Sequence, residues 1–507
     1  MSIHTPELIE DYVLEIISRT RVIKGRCENL LSKDFASEAP KNLANTIINI
    51  CSYLENATKS IYKSIDWKNV NKIESSLALL QATDSIVRDL GSHIRYVDGA
   101  QTQKLPWSFI SPIEKYLKEF LPDIEIMFRP KWEYNYTIIT TNLYDYYLNT
   151  LSRYKIYASE KSLTDVLSPL KKSFYIVSFP TIERKNILLH CLLGHEIGHL
   201  VAKEYFTLQP RNQKLLQSIR DKVATIINNK YIEDKFPNVP PLFIPQLAQQ
   251  TRQEEIKKAT KIWQKGLEEI LSDIIGSFLF GPAVLFSTLE IALQDLNGLD
   301  NLPDEGNNYY PPWRMRLRNI FEVINDLELF PLQKDKFQSE RIVNSVTQRF
   351  NLIKDIIGRE SDKEVIESND IVKIAYEEIE KDIIKAKEIY TDRLKDLVVR
   401  PFNLYKHLSH LIERIEYGIP LNAYEKSINE REPATIVEII NAAWFHKLSW
   451  EDHLFDEKGN FNEKICEKRD RMNRLTLKAL EYSDIEREYI VWYLKKTGQL
   501  PKYEVNE

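Results

Sequence analysis

The chain is 507 residues long, carries a net charge of -5, and has 28% charged residues with 14 glycines and 4 cysteines. That length exceeds what one hydrophobic core serves, so two or three domains are expected, and scarce glycine beside long Lys/Glu/Ile/Leu stretches predicts a mainly α protein. The mild, dispersed charge excludes a nucleic-acid footprint; Cys27, Cys51, Cys191 and Cys466, with no Cys-x-x-Cys pair, exclude a disulfide framework or a cysteine-based zinc site and suit a reduced, cytoplasmic setting.

From the amino terminus, residues 1–122 read as a helical bundle. Apolar residues recur three and four apart in Leu8, Ile9, Tyr12, Val13 and Ile16, and again in Leu43, Ile47, Cys51 and Leu54. No chemistry is visible there, and His93 reads as a surface or capping histidine. The opening residues have neither a basic nor an apolar leader segment, so no secretion signal is expected. The stretch Ile124 to Ile139 alternates and is rich in aromatic residues, which predicts strands; Asn142 to Tyr157 reads as a tyrosine-rich helix, and Lys171 to Pro180 as a further strand. These open a span, residues 123–330, expected to hold a small α+β core with a helical insertion over 207–260. Thr181 is the candidate N-cap of the helix that follows, which is expected to run to about Tyr205.

Inside that helix lies His195-Glu196-Ile197-Gly198-His199. At about 100° per residue, histidines four apart stand about 40° from each other around the axis, so both imidazoles can converge on one metal ion. Glu196 points to the side, where its carboxylate reaches a water rather than the metal, the placement of a general base. Gly194 and Gly198 each cost about 1 kcal/mol of helix propensity relative to alanine, which implies a close neighbour. A third ligand has to come from another element. Glu269, on a helix expected over Gln249 to Asp273, is the choice, with Glu268 the competitor. Asp273 lies four residues on, where it can accept a hydrogen bond from the free ring nitrogen of a ligand histidine. Ile270, Leu271, Ile274 and Ile275 surround these acids with core sequence, where an unpaired carboxylate is costly and a metal removes the cost. The longest uncharged run, Ile274 to Leu289, is 16 residues broken at Gly281-Pro282, too short for a membrane span.

The pattern His195-Glu196-x-x-His199, followed 70 positions later by Glu269-x-x-x-Asp273, resembles the gluzincin metallopeptidases, the group that includes thermolysin. A third element, Tyr310-Pro311-Pro312-Trp313-Arg314-Met315-Arg316, is similar to the His-Pro-Pro-x-x-x-Arg of the CAAX-prenyl and heat-shock membrane proteases, with Tyr310 where that family has histidine. The resemblance covers about residues 174 to 325 and points to a soluble branch of those zincins. It implies a zincin-like core, zinc (Zn2+) on His195, His199 and Glu269, and Glu196 as general base. Independently of it, two prolines fix a loop at the start of a helix running to about Leu327. That loop holds Tyr310 or Arg316 where a hydroxyl or guanidinium stabilises an oxyanion. The competing reading pairs Arg316 with a carboxylate in a structural role.

Residues 331–507 read as a helical domain. Within it Ser361 to Leu397 is densely charged with an apolar stripe, the pattern of a long solvated helix or a partner-facing hairpin. His407 and His410, three apart with no acid motif beside them, read as an ordinary helix face. The expected whole is a mainly α protein with a small zincin-like core between helical domains: a zinc metallopeptidase, endopeptidase before exopeptidase. Its substrates are expected to be proteins or peptides, without nucleic acid or membrane, and the helical flanks leave room for a regulatory partner. The alternative is a zincin-fold regulatory or scaffold protein that binds metal or peptide without turnover, or is gated by a partner.

Overall fold

A computed structural model describes residues 5–139, 141–153, 160–208, 212–295, 298–306, 308–329, 340–393, 401–427, 430–450, 455 and 460–498. The chain is mainly helical with two small sheets, and it divides into two compact units, Met1–Lys185 and Asn186–Glu507.

In the first unit, α1 (Pro6–Leu31), α2 (Ala39–Lys63) and α3 (Val70–Gly99) form a bundle, followed by α4 (Trp107–Phe120), β1 (Ile124–Lys131), β2 (Thr137–Ile139), α5 (Leu143–Arg153), α6 (Glu160–Val166) and β3 (Ser173–Pro180). The bundle closes because each helix carries one apolar stripe: Ile9, Val13, Ile16, Ile23 and Leu30 of α1 are all buried. In the sheet, β1 lies parallel and β2 antiparallel to the central β3. The expected strands are therefore present, but β1 packs on α2, α3 and α4, so the sheet belongs to the first unit. The boundary at Lys185 thus falls inside the stretch 123–330 that the sequence suggests as one core. Against the surface or capping reading, His93 is buried, its Nδ1 2.6 Å from the Tyr147 hydroxyl.

The second unit contains α7 (Leu193–Leu208), α8 (Asn212–Ile226), α9 (Asn229–Lys235), α10 (Ile244–Phe280), α11 (Pro282–Ala292), α12 (Trp313–Asp326), α13 (Glu340–Ile357), α14 (Ser361–Glu367), α15 (Asp370–Arg393), α16 (Pro401–Glu416), the hairpin β4 (Ala423–Ser427) and β5 (Glu430–Pro433), α17 (Ile436–Leu448) and α18 (Glu463–Thr497). Its organising element is α10, 37 residues long, on which α7, α12 and α15 pack. It takes in the later part of the expected insertion 207–260 and continues without a break into Glu269. Gly281, at φ 62°, ends it in a conformation that suits glycine, and Pro282 begins α11.

Two expectations are corrected here. The motif helix starts at Leu193, not Thr181: residues Ile187–Leu192 wind as a 3₁₀ turn. The cause is tertiary: the Leu188 carbonyl accepts from Trp444 Nε1 at 3.1 Å and Ser287 Oγ at 3.0 Å, side chains of α17 and α11 that occupy it before an α-helical ladder can begin. The charged stretch from Ser361 is not a solvated helix: Ile371, Ile374, Ile379 and Ile383 of α15 are buried, with α15 packed on α10 and α8. Its last four residues, 394–397, lie outside the described set. No helix among the described residues is long and apolar enough to cross a membrane.

Candidate metal centre

The site is set by a close crossing of α7 on α10. A Cβ placed on Gly198 would stand 2.6 Å from Ser272 Cα, and one on Gly194 2.7 Å from Phe280 Cδ2; Gly276 answers from α10, where a Cβ would stand 3.1 Å from the His195 nitrogen. The backbones meet here because neither helix carries a side chain between them, which accounts for two glycines inside a helix. The contact brings the His195-His199 face of α7 over Glu269.

Both rings are buried, 4.7 Å apart between centroids and at 83° to each other. His195 Nε2 lies 3.4 Å from Glu269 Oε2, and His199 Nε2 lies 3.8 Å from Glu269 Oε1. The opposite nitrogen of each ring faces a different carboxylate of α10: His195 Nδ1 is 2.7 Å from Asp273 Oδ1, and His199 Nδ1 is 3.1 Å from Glu268 Oε1. An ionised carboxylate only accepts, so both Nδ1 atoms carry a proton and donate. In the neutral rings this leaves lone pairs on the two Nε2 atoms, aimed at the space beside Glu269. Glu268 is therefore no rival for the third place; it orients His199 as Asp273 orients His195.

Behind Asp273 stands Arg316 of α12, which donates from Nε to Oδ2 at 2.7 Å and from Nη2 to Oδ1 at 2.9 Å. Its guanidinium also lies 4.5 Å over the Trp313 ring and 3.5 Å from Glu269 Oε2. This is the carboxylate-paired alternative for Arg316, and the side chain is committed to it. Tyr310 is partly exposed at the edge of the site, with the Lys265 ammonium 5.1 Å above its ring. The preceding turn has Asn308 at φ 56° and Tyr309 at φ 61°, a left-handed pair that is uncommon for tyrosine. Lys265 was not singled out from the sequence. It lies one helical turn before Glu269, with Nζ 2.8 Å from Glu269 Oε1 and 3.6 Å from Glu268 Oε2. The signal was available in the i, i+4 spacing of Lys265 and Glu269.

Charge accumulates in this small volume. Burial would raise the pKa of both acids, but His195, Arg316 and His199 outweigh it at Glu269 and hold it well below the usual carboxylate range, and Arg316 with His195 holds Asp273 below that range. Burial would lower His195, yet the Asp273 charge and hydrogen bond, with Glu269, push it up to about 10 when no metal is bound. Burial raises Tyr310, and the Glu269 charge adds to the effect. Four carboxylates, those of Glu196, Glu268, Glu269 and Asp273, share the region with two fixed cations, Lys265 and Arg316. A divalent cation offsets that excess without requiring a protonated histidine.

The residues fit a metal ion. The ligand atoms of His195, His199 and Glu269 all lie within 4.8 Å of one another. Neighbouring ligands at about 2.1 Å from a tetrahedral centre stand about 3.4 Å apart, close to the 3.4 Å between His195 Nε2 and Glu269 Oε2. Glu269 Oε1 is buried, and its near contact is the ion pair with Lys265 Nζ at 2.8 Å. Glu196 has no hydrogen bond or ion pair to any described residue, although it is 7% exposed. Among the described residues this is the one group of three with metal-holding geometry. His407, by contrast, is turned to Glu438 at 2.9 Å. No protein-family model, curated protein or solved structure matches the chain.

Proposed function

We propose that the chain is a zinc-dependent peptidase whose centre is His195, His199 and Glu269, in a zincin-like core made by α7, α10 and α12. The observation that carries this is the pair of imidazoles whose Nδ1 atoms are held by Asp273 and Glu268, while their Nε2 atoms converge on Glu269. Two imidazoles and one carboxylate, with outer carboxylates fixing the tautomer, are a donor set suited to zinc in a catalytic role. Bound there, zinc would supply Lewis acidity, polarising a carbonyl and bringing the pKa of water toward neutrality.

The remaining roles follow from what each side chain is free to do. Glu196 has no side-chain hydrogen bond or ion pair among the described residues, so its carboxylate can take a proton from the attacking water and return it to the leaving amine. The Tyr310 hydroxyl, protonated at neutral pH, can donate to a carbonyl oxygen as it gains negative charge. Arg316 acts one step away: its two hydrogen bonds fix Asp273, and Asp273 fixes His195. We assign it a positioning role. Four free cysteines, three of them buried, suit the reducing cytoplasm.

The test pairs metal analysis with Glu196→Gln. Zinc at one per chain in both proteins, with cleavage of a peptide library lost in the variant, is the expected result; cleavage that survives Glu196→Gln ends the proposal. A second reading, a metal-binding regulatory protein without turnover, is favoured by burial, since His195, Glu196 and His199 are each no more than 8% exposed. Zinc bound at one per chain with no cleavage by the unaltered protein would select it.

A further inference from the structure

Two lysines of α10 form a row that ends at the metal centre. Lys261 and Lys265 are four residues apart, so they leave the same side of the helix about 6 Å from each other along its axis. Each faces a ring of the loop before α12: the Lys261 ammonium stands 6.0 Å from the centre of the Tyr309 ring, and that of Lys265 5.1 Å from the centre of the Tyr310 ring. Tyr309 keeps its ring there at φ 61°, a backbone conformation that persists only where the surroundings hold it and that gathers at ligand sites. The row runs outward from Glu269, with Lys265 partly buried and Lys261 exposed.

The two ammoniums differ in what they hold. Lys265 has Glu269 and Glu268 beside it, whereas Lys261 has no ion pair or hydrogen bond with any described residue. Four acids (Glu196, Glu268, Glu269 and Asp273) against two bases (Lys265 and Arg316) leave the metal-free centre with two surplus negative charges. A divalent ion cancels that surplus and draws Glu269 away from Lys265, and Lys261 then makes the approach positive. With Lys265 Nζ 2.8 Å from a ligand oxygen, its ammonium lies within about 5 Å of an ion bound there, beside any carbonyl that the ion polarises. In an extended peptide, side chains two residues apart point the same way and stand about 6.8 Å from each other, close to the spacing of the lysines. The geometry points to Lys265 and Lys261 as specificity residues for acidic peptides. Lys265 pairs with a carboxylate next to the cleaved bond, and Lys261 with a second carboxylate two residues further along; this assignment rests on the peptidase reading of the centre.

Binding is read apart from turnover, by fluorescence anisotropy of labelled peptides on the zinc-loaded Glu196→Gln chain at low ionic strength. The probes are end-capped peptides carrying Glu-x-Glu, Gln-x-Gln, Glu-x-Lys or Lys-x-Glu. Glu-x-Glu should bind about tenfold more tightly than Gln-x-Gln. Adding Lys265→Met should remove most of that preference while zinc stays bound. Adding Lys261→Glu should weaken Glu-x-Glu about tenfold, and one of the two mixed peptides should regain the loss. Lys230→Glu makes the same change of net charge on α9, which packs against Ile244 and Ala248 about 20 Å along α10 from Lys261, and should change nothing. Equal binding of Glu-x-Glu and Gln-x-Gln, a Lys261→Glu effect no larger than that of Lys230→Glu, or no rescue by either mixed peptide overturns the assignment. So does a Gln-x-Gln peptide with a free carboxy terminus that binds as tightly as capped Glu-x-Glu, since the carboxylate read would then be the terminal one. Cleavage by the unaltered chain without an acidic preference defeats this inference and leaves the peptidase reading intact; acidic binding with no cleavage does the reverse.

Discussion

Gly198→Ala tests whether the metal centre is created by the helix crossing or merely located near it. The added methyl would stand 2.6 Å from Ser272 Cα and 2.7 Å from the Ser272 carbonyl oxygen, where ordinary contact begins near 3.4 Å. Both obstacles are backbone, so no side chain can turn aside, and α7 must retreat from α10 by about 1 Å at this point. Metal sites tolerate errors of about 0.2 Å in ligand position, so His199 and Glu269 would no longer serve one ion. Folding is affected far less: alanine gains about 1 kcal/mol of helix propensity, against about 1–3 kcal/mol for overpacking. The expected outcome is a folded variant, with circular dichroism and a denaturant midpoint near the parent's, whose zinc affinity by chelator competition falls about 100-fold or more. Gly25→Ala is the control, because a Cβ there meets nothing within 4 Å. Parental zinc affinity in Gly198→Ala would refute the reasoning, since the crossing would then not set the ligand geometry.

Other outcomes follow from the same geometry. Lys265→Met removes an ammonium 2.8 Å from Glu269 Oε1 that competes with a divalent ion; zinc affinity in competition titrations should rise about tenfold, and a fall would show the lysine to be supportive instead. Asp273→Ala leaves the Arg316 guanidinium buried without its partner, so a loss of about 3–5 kcal/mol is expected in chemical denaturation, together with weakened zinc binding. For pH, the raised His195 contributes stability to the metal-free protein that is complete below its unfolded pKa of about 6.5 and is lost as pH climbs through about 10. The lowered Glu269 and Asp273 contribute stability above their unfolded pKa of about 4 and lose it on acidification. Denaturant midpoints of the chelated protein should therefore decline on both sides. The alkaline decline should vanish once zinc holds His195 neutral, and its persistence in the zinc-loaded protein would count against His195 as a ligand.

Much of the site was legible because helical spacing is strict. His195 and His199 share a face by arithmetic, and so do Glu269 and Asp273; the glycines at 194 and 198 announced a close neighbour, found in Ser272, Gly276 and Phe280. What spacing cannot supply is the rotation of one helix about its axis relative to another. Glu268 and Glu269 differ by about 100° around α10, and only the crossing with α7 decides which of them meets the histidines. The structure puts Glu269 at the Nε2 side and Glu268 at the Nδ1 side of His199.

The same reason explains the expectations that failed. The start of α7 was misplaced because residues 187–192 are governed by Trp444 and Ser287, which come from 256 and 99 positions away and leave no local mark. α15 looked solvated because its charges outnumber its isoleucines, yet a narrow stripe suffices to pack on α10, where Ile379 Cδ1 comes within 2.7 Å of a Cβ built on Gly266. That contact makes the carboxy-terminal helices part of the metal site's support. Gly266 sits one residue after Lys265 and three before Glu269, so α10 is wedged between α7 at its later glycine and α15 at its earlier one. A helix gripped on two sides cannot rotate freely, and it is this restraint on α10 that turns adjacent carboxylates into one facing the two Nε2 atoms and one facing Nδ1 of His199.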